Sequence, residues 1–372
     1  MYYATICTMA RNEDLWLEEW VTHHVSIGFE HIYIYDNQSR IPVATQLAEY
    51  VNEGLITVEI QPEIYNKQRI AYRRCLEKYG NDSKWMAFID VDEFIVPKRH
   101  DDIRDLLDEY LPFGALGIHW RVFGSSHHTE RPAGGVIDNY TQVISFDPHI
   151  KAVVQPEHVS DVNTVHNFKY RNGYFCVNED RFPVATHWSY HVSNIVQLNH
   201  YYYKSFEDFK AKIHRGRGGG GHRPLEESFA DFRRQASAPV QEDLALRDLR
   251  DAKRACGLDS PAALKAHVAD HALGEQAFIE GIVQAQETGD ARGAADLLRR
   301  ALRCHDSPEM LFVAARTALW LGDDDRFRSC VSRLLVDVDC PRRGDAYGLL
   351  ASRYGAMGDA ATAERLTRVL AE

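Results

Sequence analysis

WMAFIDVDEFIVP, residues 85–97, consists of two apolar runs with three carboxylates between them. Trp85 to Ile89 and Phe94 to Val96 have the length and composition of buried strands, and Pro97 closes the second. Asp90, Asp92 and Glu93 at the end of a buried strand are costly unless something neutralises them. A hard divalent cation such as Mn²⁺ or Mg²⁺ would do so, because it prefers oxygen ligands. An Asp-x-Asp at a strand end can hold one side of such a cation and leave the other open to a diphosphate. The plain structural alternative is a solvated acidic turn.

Upstream, strands are expected at Tyr2–Met9, His31–Tyr35 and Leu55–Ile60, and helices at Glu13–Ile27, Pro42–Asn52 and Asn66–Tyr79. Asn12 is a candidate N-cap for the first helix. Strands alternating with helices of this length predict a parallel α/β sheet, in which ligands bind at the carboxyl ends of the strands. Three of these ends carry polar groups: Arg11–Asn12, Asp36–Asn37 and Asp90–Asp92. No GxGxxG follows the first strand, which disfavours a dinucleotide fold of the Rossmann kind. From Leu116 to about Gln197, β-branched and aromatic residues predict antiparallel strands, with a hairpin turn at Asn172–Gly173. Ser205 is a candidate cap for a helix to about His214. Arg215, Arg217 and the glycines at 218–221 suggest a mobile cationic lid, or a plain linker.

From Pro224 onward the chain is helical and rich in Ala, Arg and Leu. The pairs Gly289–Asp290, Gly322–Asp323 and Gly358–Asp359 recur at intervals of 33 and 36. That spacing is close to the tetratricopeptide period of about 34 residues. The expected organisation is an α/β domain at 1–223, a helical arm at 224–260 and an all-α helical-repeat domain at 261–372. Such repeats bind partners, self-associate or brace a neighbour.

The formal net charge of −11 argues against a nucleic-acid protein. Seven cysteines without a CxxC read as reduced thiols. No leader-like segment and no apolar run of membrane-spanning length is evident, so a cytoplasmic location is expected, with a peripheral place at the inner membrane face open.

RNE at 11–13, YDNQS at 35–39, KQRIAYRRC at 67–75, DVDEF at 90–94 and HYYYKS at 200–205 occur in that order. Together they resemble the family 92-type and related family 2-type glycosyltransferases of the GT-A fold, over about residues 1–220. The resemblance implies a nucleotide-sugar donor, usually a UDP-sugar, a divalent metal, a glycan or glycoconjugate acceptor as in polysaccharide assembly, and inversion at the anomeric carbon. It places Asp90, Asp92 and His200 at the metal. It places Ala10, Arg11, Asn12, Glu13, Asp36, Asn37, Ser39, Gln68, Asp90 and Val91 at the donor. Lys204 and Arg215 would offset leaving-group charge, and Lys151 and His166 are further candidates to line the pocket. The general base is not marked by any motif; Glu179 and Asp180 in CVNEDRF are candidates, with Glu93 a further catalytic candidate. An aspartyl-phosphate phosphatase also places Asp-x-Asp after a strand, but it needs Thr or Val where this chain has Phe94. The remaining alternative is an inactive scaffold whose helical tail binds a protein partner.

Overall fold

The computed structural model describes residues 1–63, 67–216, 224–269, 274–337 and 339–369. The expected glycine-rich lid at 217–223 lies outside the described residues. The chain divides into two compact units, Met1–Val268 and Ala269–Glu372. Residues 224–260, expected as an arm, and the helix after Pro261 belong to the first unit.

The strands of the first unit are β1 Tyr2–Ala10, β2 His31–Asp36, β3 Ile56–Ile60, β4 Ser83–Phe88, β5 Glu93–Pro97, β6 Ala115–Phe123, β7 Gln142–Val154, β8 Val159–Val162, β9 Phe168–Tyr170, β10 Cys176–Val177, β11 Val196–His200 and β12 Gln241–Glu242. Its helices are α1 Leu17–Ser26, α2 Val43–Gln46, α3 Ala48–Asn52, α4 Lys67–Tyr79, α5 Ile103–Asp108, α6 Val136–Asn139, α7 Phe206–Arg215, α8 Leu225–Ala236, α9 Ala245–Ala255 and α10 Pro261–Val268.

The main sheet runs β3-β2-β1-β4-β7-β6-β11-β5, with β10 beside β6 and β12 beside β7. The first four strands are parallel, as the alternation of apolar runs and helices predicts. Both faces are buried: Trp20 and Val21 of α1 pack in the cluster that holds Ala4 and Ile6, while Ala71 and Tyr72 of α4 pack in the one that holds Cys7 and Tyr33. Beyond β4 the sheet becomes mixed. β7 pairs antiparallel with β4 and β6, and β11 runs parallel to β6 but antiparallel to β5.

Several local expectations need correction. Asn12 does not cap α1, which begins at Leu17. Its backbone is left-handed (φ 51°), and its Oδ1 accepts a hydrogen bond from the Arg40 amide across the strand ends. The helix expected at Pro42–Asn52 is two short helices, broken at Leu47 (φ −108°, ψ 33°). Asn172 and Gly173 do form a tight turn with positive φ (57° and 78°). The flanking strands nevertheless do not pair with each other: β9 pairs with β8, and β10 joins β6. A turn dipeptide specifies the reversal but not the partners.

The second unit contains α11 Glu275–Glu287, α12 Ala291–Cys304, α13 Pro308–Leu321, α14 Asp324–Val336, α15 Arg343–Ala356 and α16 Ala360–Val369. Its Gly-Asp pairs act as punctuation, two functions in two residues. Gly289, Gly322 and Gly358 take positive φ (72°, 75° and 85°) at helix ends, where a Cβ would be strained. The following Asp290, Asp323 and Asp359 accept hydrogen bonds from the amides of Gly293, Arg326 and Thr362, and so cap the next helix. Phe278, Ile282, Leu298, Met310, Phe327 and Leu334 are buried in its own core.

Candidate active site

The end of β4 leads straight into the acidic turn. The Glu93 amide donates to the Asp90 carbonyl at 3.0 Å, and β11 fastens the other side: the Tyr201 amide donates to the Asp92 carbonyl at 2.8 Å, and His200 pairs in register with Glu93. The short return strand β5 is therefore fastened to the sheet edge through β11. The two aspartates stand at its mouth, with His200 Nε2 3.8 Å from Asp92 Oδ2.

Cations answer these carboxylates. Lys151, buried in β7, places Nζ 3.1 Å from Asp90 Oδ2 and 3.6 Å from Glu93 Oε2. Burial alone would lower its pKa, but Asp90 and Glu93 overcome this and hold it charged. Lys212 of α7 is ion-paired with Asp92. Burial alone would raise the Asp92 carboxyl; Lys212, with His200 and Lys204, holds it well below the usual carboxylate range. Burial pushes the His200 imidazole down to about 4, so it is neutral at pH 7.

These groups open onto a cavity of about 460 Å³. Asp90, Val91, Asp92 and His200 line it, with Gln68 and Lys67 of α4, Arg11 and Glu13 after β1, Trp120 of β6, Asp147 of β7, His166, Tyr202, and Lys212 and Arg215 of α7. Burial lowers the Lys67 pKa, and repulsion from Arg11 and Arg215 lowers it further. Cations crowded this closely suit a polyanionic ligand. α7 owes its position to Ser205, whose Oγ accepts from the Asp208 amide at 3.1 Å. Arg215 at its other end donates to the carbonyls of Arg11 and Asn12 at 2.6 and 3.0 Å and pairs with Glu13 at 2.5 Å. A second cavity of about 450 Å³ shares Glu13, Asp92, Lys212 and Arg215 with the first and adds Asn12 and Lys204.

The donor set of two carboxylates and a neutral imidazole suits a divalent cation that takes its remaining ligands from a diphosphate and water. Among the described residues no three His, Cys, Asp or Glu side chains converge to hold a metal ion by themselves. Asp90 and Asp92 could hold only one side of a cation, and in this structure the Lys212 ammonium is paired with Asp92.

Against this geometry, glycosyltransferase family 92 matches residues 2–244. The chain belongs to that family. Family 92 proteins of Ricinus communis and Oryza sativa subsp. japonica are 30% and 27% identical to it over 217 and 213 residues. Each alignment covers 56% of this chain, but only 37% and 34% of the relative, so the chain spans about a third of the length of the curated relatives it matches. Among solved structures, Staphylococcus aureus TarS 1–349 in complex with UDP aligns over 88% of this chain and 90% of its own, at 9% identity and a TM-score of 0.34. The family 92 chain has the expected GT-A α/β unit, and its second unit is all-α. Among its described residues no helix is long and apolar enough to cross a membrane.

The structure brings Arg11, Glu13, Gln68, Asp90, Val91, Asp92, His166, His200 and Arg215 of the sequence-predicted residues to the main cavity. Gln68 Nε2 hydrogen-bonds Asp90, and Lys151 reaches the site through its contact with Asp90. Asn12 and Lys204 line the second cavity. Others hold loops. Asp36 is buried, and its carboxylate accepts from the amides of Ser39 (2.9 Å) and Val43 (3.1 Å), so it is not presented to a ligand. Asn37 donates to the carbonyls of Gln61 and Glu63, and Ser39 Oγ accepts from the Asn12 amide. Ala10 is fully buried in the sheet.

The proposed bases are corrected. Glu179 is buried, and its carboxylate accepts from the amides of Asn194, Ile195 and Val196. It pins the entry to β11 and has no path to a substrate. Asp180 is exposed, accepts from the Tyr190 hydroxyl at 3.3 Å, and does not line the cavity. Glu93 is fully buried: Oε1 accepts from Trp120 Nε1 and Oε2 from the Asp90 amide, both at 2.8 Å. Burial, against the pull of Lys151, raises its pKa well above the usual range, and its role is to hold the acidic turn. Sequence reasoning missed Lys67, Trp120, Asp147, Tyr202 and Lys212. Lys212 had a signal in the row of cations from Lys204 to Arg215, and Lys67 and Tyr202 lie inside the motifs KQRIAYRRC and HYYYKS.

Proposed function

We propose that the chain transfers a sugar, with inversion, from a UDP-sugar to a saccharide acceptor with the help of Mn²⁺ or Mg²⁺. The observation that carries this reading is the cavity in which Asp90 and Asp92 face Arg11, Lys67, Lys212 and Arg215. One wall suits a divalent cation and the other a diphosphate. Family membership supports the transfer chemistry, and the resemblance in DVDEF and HYYYKS supports the donor class.

Asp90 and Asp92, joined by His200, would hold the cation. When bound, it supplies Lewis-acid neutralisation of the charge that grows on a departing diphosphate. The remaining work falls to the chain itself. Lys212 exchanges its contact with Asp92 for a phosphate oxygen. Arg215 and Lys67 add fixed positive charge in a site where low polarisability strengthens it. Gln68 and Lys151 keep Asp90 oriented. Trp120, packed over His200 at 4.3 Å, closes the floor against water.

Calorimetric titration with UDP, with and without Mn²⁺, tests the reading. Metal-dependent binding is expected. Binding of a different nucleoside diphosphate alone would change the donor, and no nucleotide binding would leave the scaffold reading. The second unit is proposed as a helical-repeat surface of the tetratricopeptide kind for a protein partner or self-association; static light scattering of the intact chain reads the latter.

A further inference from the structure

The proposed transfer requires a carboxylate on the acceptor side, and of the four carboxylates that line the main cavity among the described residues, three are already committed. Asp90 and Asp92 are ion-paired to lysines, and Glu13 to Arg215. The fourth is Asp147. Its Oδ1 accepts from the His149 amide at 2.9 Å and lies 2.6 Å from His149 Nδ1. Among the described residues Oδ2 has no protein partner, and no lysine or arginine is paired with the carboxylate. Its side chain is 30% exposed, so water and substrate can reach it.

The backbone is shaped to present it. From His119 to Arg121, two residues along β6, the partner on β7 moves from Ile150 to Phe146, four residues along. The surplus residues form a bulge at Asp147–His149. Bulges re-aim side chains and are frequent beside active sites. The bulge is held from outside: the Ile150 amide donates to the His187 carbonyl at 3.0 Å, and the Ser189 amide to the Pro148 carbonyl at 3.1 Å.

That outer segment carries aromatic rings. The His187 and Trp188 rings stack at 5.5 Å with an interplanar angle of 2°, and Trp188 is 54% exposed. His149 links them inward, 6.1 Å from Trp188 and 5.2 Å from Trp120, on which it stacks at 26°. Flat rings thus run from the cavity floor at Trp120 to the surface at Trp188, with Asp147 beside them. An exposed indole backed by another ring suits a ligand with one flat C–H face and hydroxyls at its rim. A sugar ring has that form.

We propose that Asp147 and the Trp120–His149–Trp188 strip form the acceptor subsite, that it takes a saccharide of two or more units, and that Asp147 is the general base. The inference rests on the nucleotide-sugar reading above. In the step, the acceptor hydroxyl oxygen bonds to the anomeric carbon, and the bond from that carbon to the diphosphate oxygen breaks. The electron pair leaves on the diphosphate, and the hydroxyl proton passes to Asp147 Oδ2. His149 is a positioning residue that holds Oδ1.

The test uses the full chain saturated with UDP and Mn²⁺. Cellotetraose, chitotetraose and lacto-N-tetraose serve as binding probes, read by tryptophan fluorescence and calorimetry. Transfer is then followed from UDP-sugars to the probe that binds. Saturable binding of at least one tetrasaccharide is expected. Trp188→Ala should weaken it about tenfold and Trp188→Phe should restore it. Asp147→Asn, whose side-chain oxygen can still accept from the His149 amide, should lower kcat at least about 10²-fold and flatten the acid limb of its pH profile, with UDP affinity within about twofold. A protein that binds UDP but none of the three tetrasaccharides overturns this inference alone. So does an Asp147→Asn enzyme within threefold of the parent kcat, or a Trp188→Ala protein with unchanged tetrasaccharide affinity. Failure to bind UDP at all would strike the parent reading instead.

Discussion

Asp90-Val91-Asp92-Glu93 and Asn178-Glu179-Asp180 are both acidic turns that follow a buried strand, and they serve opposite ends. In the first, the aspartates face a cavity and are answered by the side-chain ammonium groups of Lys151 and Lys212. In the second, Glu179 is answered by three backbone amides at 194–196. A side-chain cation on a helix can move aside for a ligand. A backbone amide in the sheet cannot. What separates a carboxylate that lines the cavity from one that holds a loop is therefore the group that answers it, and that group lies far along the chain.

Four substitutions probe this contrast, in descending order of effect. Glu179→Ala leaves two part-buried amides and one buried amide without their charged acceptor, at about 1–3 kcal/mol each. We expect a loss of at least about 3 kcal/mol in urea unfolding and unchanged UDP affinity in the variant that remains folded. Weakened UDP binding there would erase the distinction between the two turns. Asp92→Ala should do the reverse: metal-dependent UDP affinity falls about 10²-fold, with the melting temperature preserved because removing Asp92 also frees Lys212.

Burial of titratable groups without an opposite charge supplies the third test. His23, packed under Phe94 and bonded at 2.7 Å to the Ile95 carbonyl, is pushed by burial down to about 4. Its unfolded pKa is about 6.5, so between those values the unfolded chain binds the extra proton. Stability is therefore complete above pH 6.5 and declines as the pH falls toward 4. His23→Gln should remove about 2 kcal/mol of that decline at pH 5, seen as a shallower slope of unfolding free energy against pH. An unchanged slope would place the titration elsewhere, for instance at His31 or His119, which burial also lowers to about 4. The smallest effect is expected for Lys212→Met. UDP affinity should fall about tenfold, the equivalent of one charged hydrogen bond, at saturating Mn²⁺. Tighter binding would mean that Lys212 only competes with the metal.

The legible parts of the chain were those whose determinants are local. Gly-Asp pairs end one helix and begin the next within two residues, so these helix boundaries could be read directly. DVDEF carries its own strand, turn and return. Ser205 caps α7 through a residue three positions away. Asp36 and Asn37 were misread because the amides and carbonyls they hold, at Ser39, Val43, Gln61 and Glu63, are set by loop folding. Glu179 was misread because its partners come from the start of β11. Trp120 and Asp147 carried no signal, since they meet only across the β6–β7 register and a bulge that no turn residue marks. The strands that flank Asn172–Gly173 pair with different partners, β9 with β8 and β10 with β6, which shows the same limit on the structural side.

The place of β11 has a consequence for how the protein is made. This strand, among the last of the sheet in chain order, lies between β6 and β5, and the Lys212–Asp92 contact joins residues 120 apart. During synthesis, β5 has no strand to pair with until residues 196–200 emerge. Pairings of such long sequence separation are slow to form, and waiting strand edges are open to foreign partners. Fragments ending before Val196 should bind chaperones or aggregate, while those that include α7 become protease-resistant in one step.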